Sequence, residues 1–323
     1  MKKIILFLFI SYSIFAQKTP EDFGYRHLVY SYKKGKVDVI IKSKFGEESI
    51  AKPLFFWCQG SLPQPIIKYN SKGMFGTFPF NVNDFLDNYH IVIIGKPGIP
   101  TISDVKDLKQ NYCFLTDDLK IPKEYSDSNY LDFYTKRNNF IIKKLLKEKW
   151  VAPSKLVVAG HSEGSYIAVN MASSNKKITH LIYSGGNPYG RFLNILAEDI
   201  HKNKNYEIMD YWKSVIENKN NGNYTGGDTP KNLYQFSKPI APLLVKLKIP
   251  VLISFGTKDW NAPYNDLFYS ETIRKNITSI TFKPYIDLEH NYFPTNEKLE
   301  PNYEIYNWEN VGKDWSIWLQ KNN

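Results

Sequence analysis

The sequence predicts an α/β fold in which helices cover both faces of a mostly parallel sheet. Short apolar, β-branched runs alternate with longer segments of helical period along the chain, the pattern that parallel strands joined by crossover helices produce. One such run, Lys155-Leu156-Val157-Val158-Ala159, leads straight into Gly160-His161-Ser162-Glu163-Gly164, after which Tyr166, Ile167, Ala168, Val169, Met171 and Ala172 follow in a helix-compatible pattern. Glycines on both sides of a serine let a strand turn sharply into a helix, with the serine at the tip. At 323 residues the chain is long enough to bury a full core in one large domain carrying an insertion.

Residues 1–16 read as an export signal: Lys2 and Lys3 precede an apolar run from Ile4 through Ile14-Phe15, and Ala16 stands before Gln17. This predicts a mature domain over 17–323, periplasmic or secreted. No stable membrane span is expected after signal removal, because the run is short and interrupted by Ser11 and Ser13. Segments 28–32 and 37–42, around Lys34-Gly35, predict an antiparallel pair, and buried strands follow at 53–58, 90–95 and 155–160. Phe133, Tyr134, Phe140, Ile141 and Leu145 predict a helix over 131–149. Further strands are expected at 180–184, 249–256 and 279–286, and Trp308, Val311, Trp315 and Leu319 mark an amphipathic closing helix.

The interval 187–248 is too long for a plain crossover. It holds helix-like pieces at 195–201, 206–216 and 233–247, the last two separated by a loop at 218–228. It predicts a helical lid inserted over the site; the plainer alternative is a surface excursion, which such loops tolerate cheaply. Its aromatics Tyr206, Tyr211, Trp212 and Tyr224 hint at a ring-stacking surface.

Lys and Arg number 42 against 32 Asp and Glu, a net charge of +10. The excess is mostly lysine spread along the chain, as at Lys143-Lys144 and Lys202 with Lys204, without a nucleic-acid-binding signature, so no nucleic-acid partner is expected. Cys58 and Cys113 are too few for a zinc site, and neither metal nor cofactor is expected. Their spacing leaves a disulfide and a pair of buried thiols both open.

A serine hydroxyl is a weak nucleophile at neutral pH and needs a neutral imidazole to take its proton and a third group to orient that imidazole. His27, His90 and His180 fall in or beside predicted strands, His201 in the insertion, and His161 next to Ser162 with its side chain expected to point away from the serine's. His290 follows the last predicted strand, on a loop that can return over the sheet edge, and is the expected base. Asp259 leaves the strand at 249–256 at the end where open α/β sheets bind ligands; its rival role is to cap the helix starting near Pro263. Asp287 and Glu289 are too near His290 in sequence to face it well. The backbone N–H groups of Glu163 and of Ser61, or Gly60, are the expected oxyanion donors. Trp57 and Trp260 are candidates for an acyl pocket, with core packing the plainer fate of Trp57.

With these residues in place, the chain resembles the α/β-hydrolase superfamily from about Leu28 to its C-terminus. The order Ser, Asp, His is that superfamily's. The resemblance is nearest to its esterase and dienelactone-hydrolase-like or prolyl-oligopeptidase-like branches, which carry G-H-S-E-G elbows and G-x-x-D acid loops such as Gly256-Thr257-Lys258-Asp259. It implies Ser162 as nucleophile, Gly160 and Gly164 as the elbow glycines, His290 as general base and acid, Asp259 as its orienter, and the N–H groups of Glu163 and Ser61 as the oxyanion hole. The oxyanion loop departs from the usual His-Gly start, reading Gln59-Gly60. The implied activity is that of an exported serine hydrolase cleaving a carboxylic ester of a small molecule. The alternatives are a peptidase or amidase on the same triad, acting on a short peptide, and a non-catalytic binding protein on this scaffold. In the peptidase case Glu163 would anchor an amine; a surface glutamate at a helix start is its plainer reading.

Overall fold

The computed structural model describes residues 18–76, 78–203, 206–223 and 227–322. The export signal expected over 1–16 and the insertion's Tyr224 lie outside the described residues. Among the described residues, eleven strands form two sheets. In chain order they are β1 (Arg26–Tyr32), β2 (Gly35–Lys42), β3 (Lys52–Cys58), β4 (Ile67–Asn70), β5 (Gly73–Phe75), β6 (His90–Ile94), β7 (Ile102–Asp104), β8 (Val151–His161), β9 (His180–Ser184), β10 (Val251–Gly256) and β11 (Ile280–Tyr285). The large sheet has the order β1-β2-β6-β3-β8-β9-β10-β11. Only β2 runs against the others, pairing antiparallel with both β1 and β6.

Period-two alternation along the central strands produces two cores. Leu54, Phe56, Val158, Ile253 and Phe255 face one side with the helices α3 (Leu131–Leu145) and α4 (Glu163–Ser174). Phe55, Trp57, Val157, Ala159 and Leu252 face the other, with α1 (Asn83–Leu86) and the closing helix α10 (Trp308–Lys321). Between them come α2 (Lys123–Ser128), α5 (Arg191–Asn203), α6 (Ile208–Glu217), α7 (Pro230–Phe236), α8 (Ala241–Lys246) and α9 (Ala262–Arg274).

Three departures from the sequence expectation have local causes. The helix expected over 131–149 ends at Leu145, because the chain turns there to start β8 at Val151. The piece expected over 233–247 is two helices, α7 and α8. Pro239 separates them; it donates no backbone hydrogen bond and disfavours helix at Lys238. A small second sheet, in the order β5-β4-β7, appears where the sequence pattern assigns no element. Its strands have only three or four residues, too few for periodicity to register. Cys58 and Cys113 are free thiols, the first buried and the second partly exposed.

Trp315 of α10 ties the second core together: it is fully buried against Trp57, Phe80 and Trp308, and its indole N–H donates to Ser254 Oγ at 3.2 Å. Trp315→Ala is expected to destabilise the protein by about 3–5 kcal/mol, read as a lower urea midpoint.

Candidate active site

The turn after β8 holds Ser162 at φ 55° and ψ −126°, a backbone region that side chains populate only under constraint, at a cost of about 1–3 kcal/mol. The constraint is the close approach of two backbones. A Cβ on Gly164 would lie 2.2 Å from the Cys58 carbonyl oxygen of β3, and one on Gly160 would lie 2.1 Å from the Gly164 carbonyl oxygen. Only glycine fits either place. Ser162 is partly exposed at the tip, and its N–H donates to the Ser184 carbonyl at 2.9 Å.

Ser162 and His290 line one cleft of about 790 Å³. His290 Nδ1 meets Asp259 Oδ2 at 2.7 Å, and the Asp259 side chain is almost fully buried. The other Asp259 oxygen accepts the Asn261 N–H at 3.0 Å, so the carboxylate braces the turn before α9 as well as the imidazole. Burial opposes a charge on His290, but the Asp259 carboxylate outweighs it and raises the imidazole above its ordinary pKa. The rivals are engaged elsewhere. Asp287 is exposed near Lys258, and Glu289 Oε1 accepts the N–H groups of Asn291 and Phe293. His27 pairs with Asp38, His90 with Ser43, and His180 with Thr179, while His201 packs on Trp260.

His161 was expected to point away from the serine, yet it lines the same cleft and its ring lies 4.8 Å from the His290 ring. Burial, then the neighbouring His290, holds His161 well below the ordinary pKa, so of the two rings His290 is the one that takes up a proton more readily. Behind the two rings runs a buried polar chain. His161 Nδ1 bonds Ser184 Oγ at 2.9 Å, the Tyr292 hydroxyl joins Ser184 Oγ at 2.6 Å to Ser254 Oγ at 3.1 Å, and Trp315 donates to Ser254. No sequence motif carries this chain, because its members come from β9, β10, α10 and the loop after β11.

The loop after β3 is anchored through its carbonyls. Buried Lys96 donates to Gly60 O at 2.5 Å and Leu62 O at 2.9 Å, and the Tyr125 hydroxyl donates to Ser61 O at 2.5 Å. Among the described residues no peptide is cis, and in a trans peptide the N–H opposes its carbonyl; the Ser61 N–H is therefore turned away from Lys96. Burial pushes the Lys96 ammonium down to about 8. Gln59, standing where histidine is usual, donates to the Ile94 carbonyl at 2.5 Å.

Glu163 corrects the sequence reading of its side chain. It is 3% exposed rather than on the surface, with Arg191 Nη1 at 3.0 Å from its Oε2 and Arg191 Nη2 at 2.7 Å from Asp228. Burial raises its carboxyl pKa, against the pull of Arg191 and Lys96. Trp57 packs on Phe80 and Trp315 in the core, its plainer expected fate, and also lines the cleft. Trp260 does not line the cleft and rests on His201. None of the described residues of the 187–248 insertion lines this cleft either; its wall comes from the loop after β3, the small sheet with its loops, and 290–308. The insertion bounds a second cavity of about 250 Å³, through Arg191, Gly227, Asp228 and Thr229. Trp212 stacks on Phe192 within the insertion, and Tyr206 and Tyr211 are exposed.

The strain at Ser162 makes a stability prediction. Glycine relieves a positive φ but costs about 0.5–1 kcal/mol in the unfolded chain, so Ser162→Gly is expected to be about 1 kcal/mol more stable than Ser162→Ala. Equal denaturation midpoints for the two would mean an unstrained turn.

No protein-family model matches this sequence, and no curated protein matches it. Solved structures do. Dipeptidyl peptidase 4 from Porphyromonas gingivalis is 15% identical over 93% of this chain and 35% of its own, with a TM-score of 0.55. Acylaminoacyl peptidase from Pyrococcus horikoshii is 14% identical over 82% of this chain and 37% of its own, with a TM-score of 0.52. This chain thus spans little more than a third of either peptidase. Est1E from Butyrivibrio proteoclasticus, with ferulic acid bound, is 11% identical over 91% of this chain and 98% of its own, with a TM-score of 0.55. Together with the mostly parallel sheet and the strained turn after β8, these likenesses establish that the chain has the α/β-hydrolase fold.

Proposed function

We propose that this protein is a serine hydrolase that cleaves a carboxylic ester through an acyl-enzyme intermediate, with Ser162, His290 and Asp259 as its triad. The observation that carries the reading is the 2.7 Å bond from Asp259 to His290 Nδ1 on an imidazole that shares its cleft with a serine on a strained turn. Asp259 holds the proton on Nδ1 and leaves Nε2 as the base. Nε2 takes the Ser162 proton as Oγ attacks the carbonyl carbon, and the N–H groups of Glu163 and Ser61 receive the oxyanion. Collapse breaks the bond to the alkoxy oxygen, which leaves with the His290 proton. Water then gives its proton to His290 and attacks the acyl carbon, releasing the acid and free Ser162.

The ester reading is preferred to an exopeptidase one because the Glu163 carboxylate is shut away from solvent and paired with Arg191; it is not free to anchor a substrate amine. Est1E, similar over nearly its whole length, is solved with ferulic acid bound, which is compatible with a carboxylic acid product. The N-terminal pattern of residues 1–16 supports action after export.

A fluorophosphonate probe is expected to label the wild type and to fail on Ser162→Ala and His290→Ala, with p-nitrophenyl ester turnover falling by roughly three powers of ten or more. An unlabelled wild type would overturn the assignment. Matched ester and amide substrates should show turnover on the ester alone or far faster. Because the base acts unprotonated, kcat/KM should rise with pH through a midpoint above the ordinary histidine value of 6.5. Asp259→Asn should move that midpoint down and lower kcat by about 10⁴-fold; a midpoint that stays put would remove Asp259 from the triad.

A further inference from the structure

The cleft contains a buried cation that the ester chemistry does not use. Lys68 lies on β4 directly opposite Phe75 on β5, and paired residues of an antiparallel ladder share a face; both line the cleft that holds Ser162. Lys68 is 4% exposed. Its ammonium has three N–H donors and meets two neutral acceptors, Gln64 Oε1 at 3.2 Å and the Gly76 carbonyl at 3.0 Å. Among the described residues no carboxylate lies within ion-pair distance of it, and no Asp or Glu lines the cleft. Beside it stands an aromatic wall in which Phe75 and Tyr112 meet edge to face at 5.3 Å.

A buried charge without a counter-ion is costly to maintain. Two neutral acceptors offset part of that cost and leave one donor for something else. An anionic group entering the cleft would supply the missing charge, and a charge-assisted bond to it would be stronger than either bond Lys68 now makes. Burial already pushes the ammonium down to about 8, so at neutral pH it is still mostly protonated and able to pair.

We propose that the small-sheet end of the cleft is an anion subsite, with Lys68 binding a carboxylate that the ester substrate carries away from its scissile bond. This rests on the ester reading above and narrows its substrate class to esters with a free acid group, held between an apolar, aromatic wall and a single cation. Lys68 acts there in specificity and takes no part in bond making.

The test compares kcat/KM within matched pairs at neutral pH. One series consists of p-nitrophenyl monoesters of straight-chain dicarboxylic acids of increasing length, each beside its methyl-capped neutral counterpart. A second puts the charge on the alcohol, with carboxyphenyl acetates beside their methoxycarbonyl counterparts. In one of the series the wild type is expected to prefer the charged member by about tenfold or more. Lys68→Met should lower the charged member's kcat/KM about tenfold more than the neutral member's. Lys68→Gln, which keeps a donor for the Gly76 carbonyl, supplies the same readout should the methionine variant fail to fold. Turnover of neutral esters with no preference in either series overturns the subsite alone, and so does a preference that survives both substitutions. Absence of turnover on every ester overturns the ester reading and the subsite with it.

Discussion

The contact on which the site depends is backbone against backbone at the start of α4. Gly164 sits so close to the carbonyl end of β3 that a methyl group would overlap the Cys58 oxygen. That approach draws the elbow onto the sheet and holds Ser162 in its positive-φ conformation. It also brings the loop of Gly60 and Ser61, which leaves β3 at that same point, to the side of the serine. A side chain at 160 or 164 would overlap backbone atoms, and the turn that holds Ser162 would have to move off the sheet.

Buried polar groups then set the electrostatics. Asp259 and His161 act on His290 from different directions, the carboxylate favouring its protonated form and the neutral ring packing against it. The chain from Ser184 through Tyr292 and Ser254 to Trp315 satisfies the polar groups behind the rings and links them to the closing helix. In a low-dielectric interior such a network is rigid only when its members are bonded, so α10 is packing for the core and support for the site at once. Lys96 plays the corresponding part beneath the loop of Gly60 and Ser61, where it binds the Gly60 and Leu62 carbonyls.

The cleft is built by segments that are distant in sequence. Its walls come from the loop after β3, the small sheet with its loops and the chain around 290–308, while the helical insertion at 187–248 borders, through Arg191 and Asp228, a second cavity that shares Ser61 and Leu62 with it. Arg191 also reaches Glu163 at the base of the elbow helix. The insertion therefore touches the elbow helix through an ion pair, and none of its described residues lines the cleft itself.

The sequence by itself determined the sheet and the order of its chemical groups. Alternating apolar runs are a local signal, and so are a serine between glycines after a strand and an aspartate just past another strand; each is legible within about ten residues because strand and turn geometry are local. Tertiary structure alone decided what surrounds them. The strands of the small sheet are shorter than any periodicity can report, and the burial of Glu163 depends on Arg191 twenty-eight positions away. The contact of the His161 ring with His290 and the isolation of the Lys68 charge likewise arise between segments that sequence does not pair. Desolvation and charge pairing are properties of three-dimensional neighbourhoods, which is why the candidate triad could be read from the chain and the cleft around it could not.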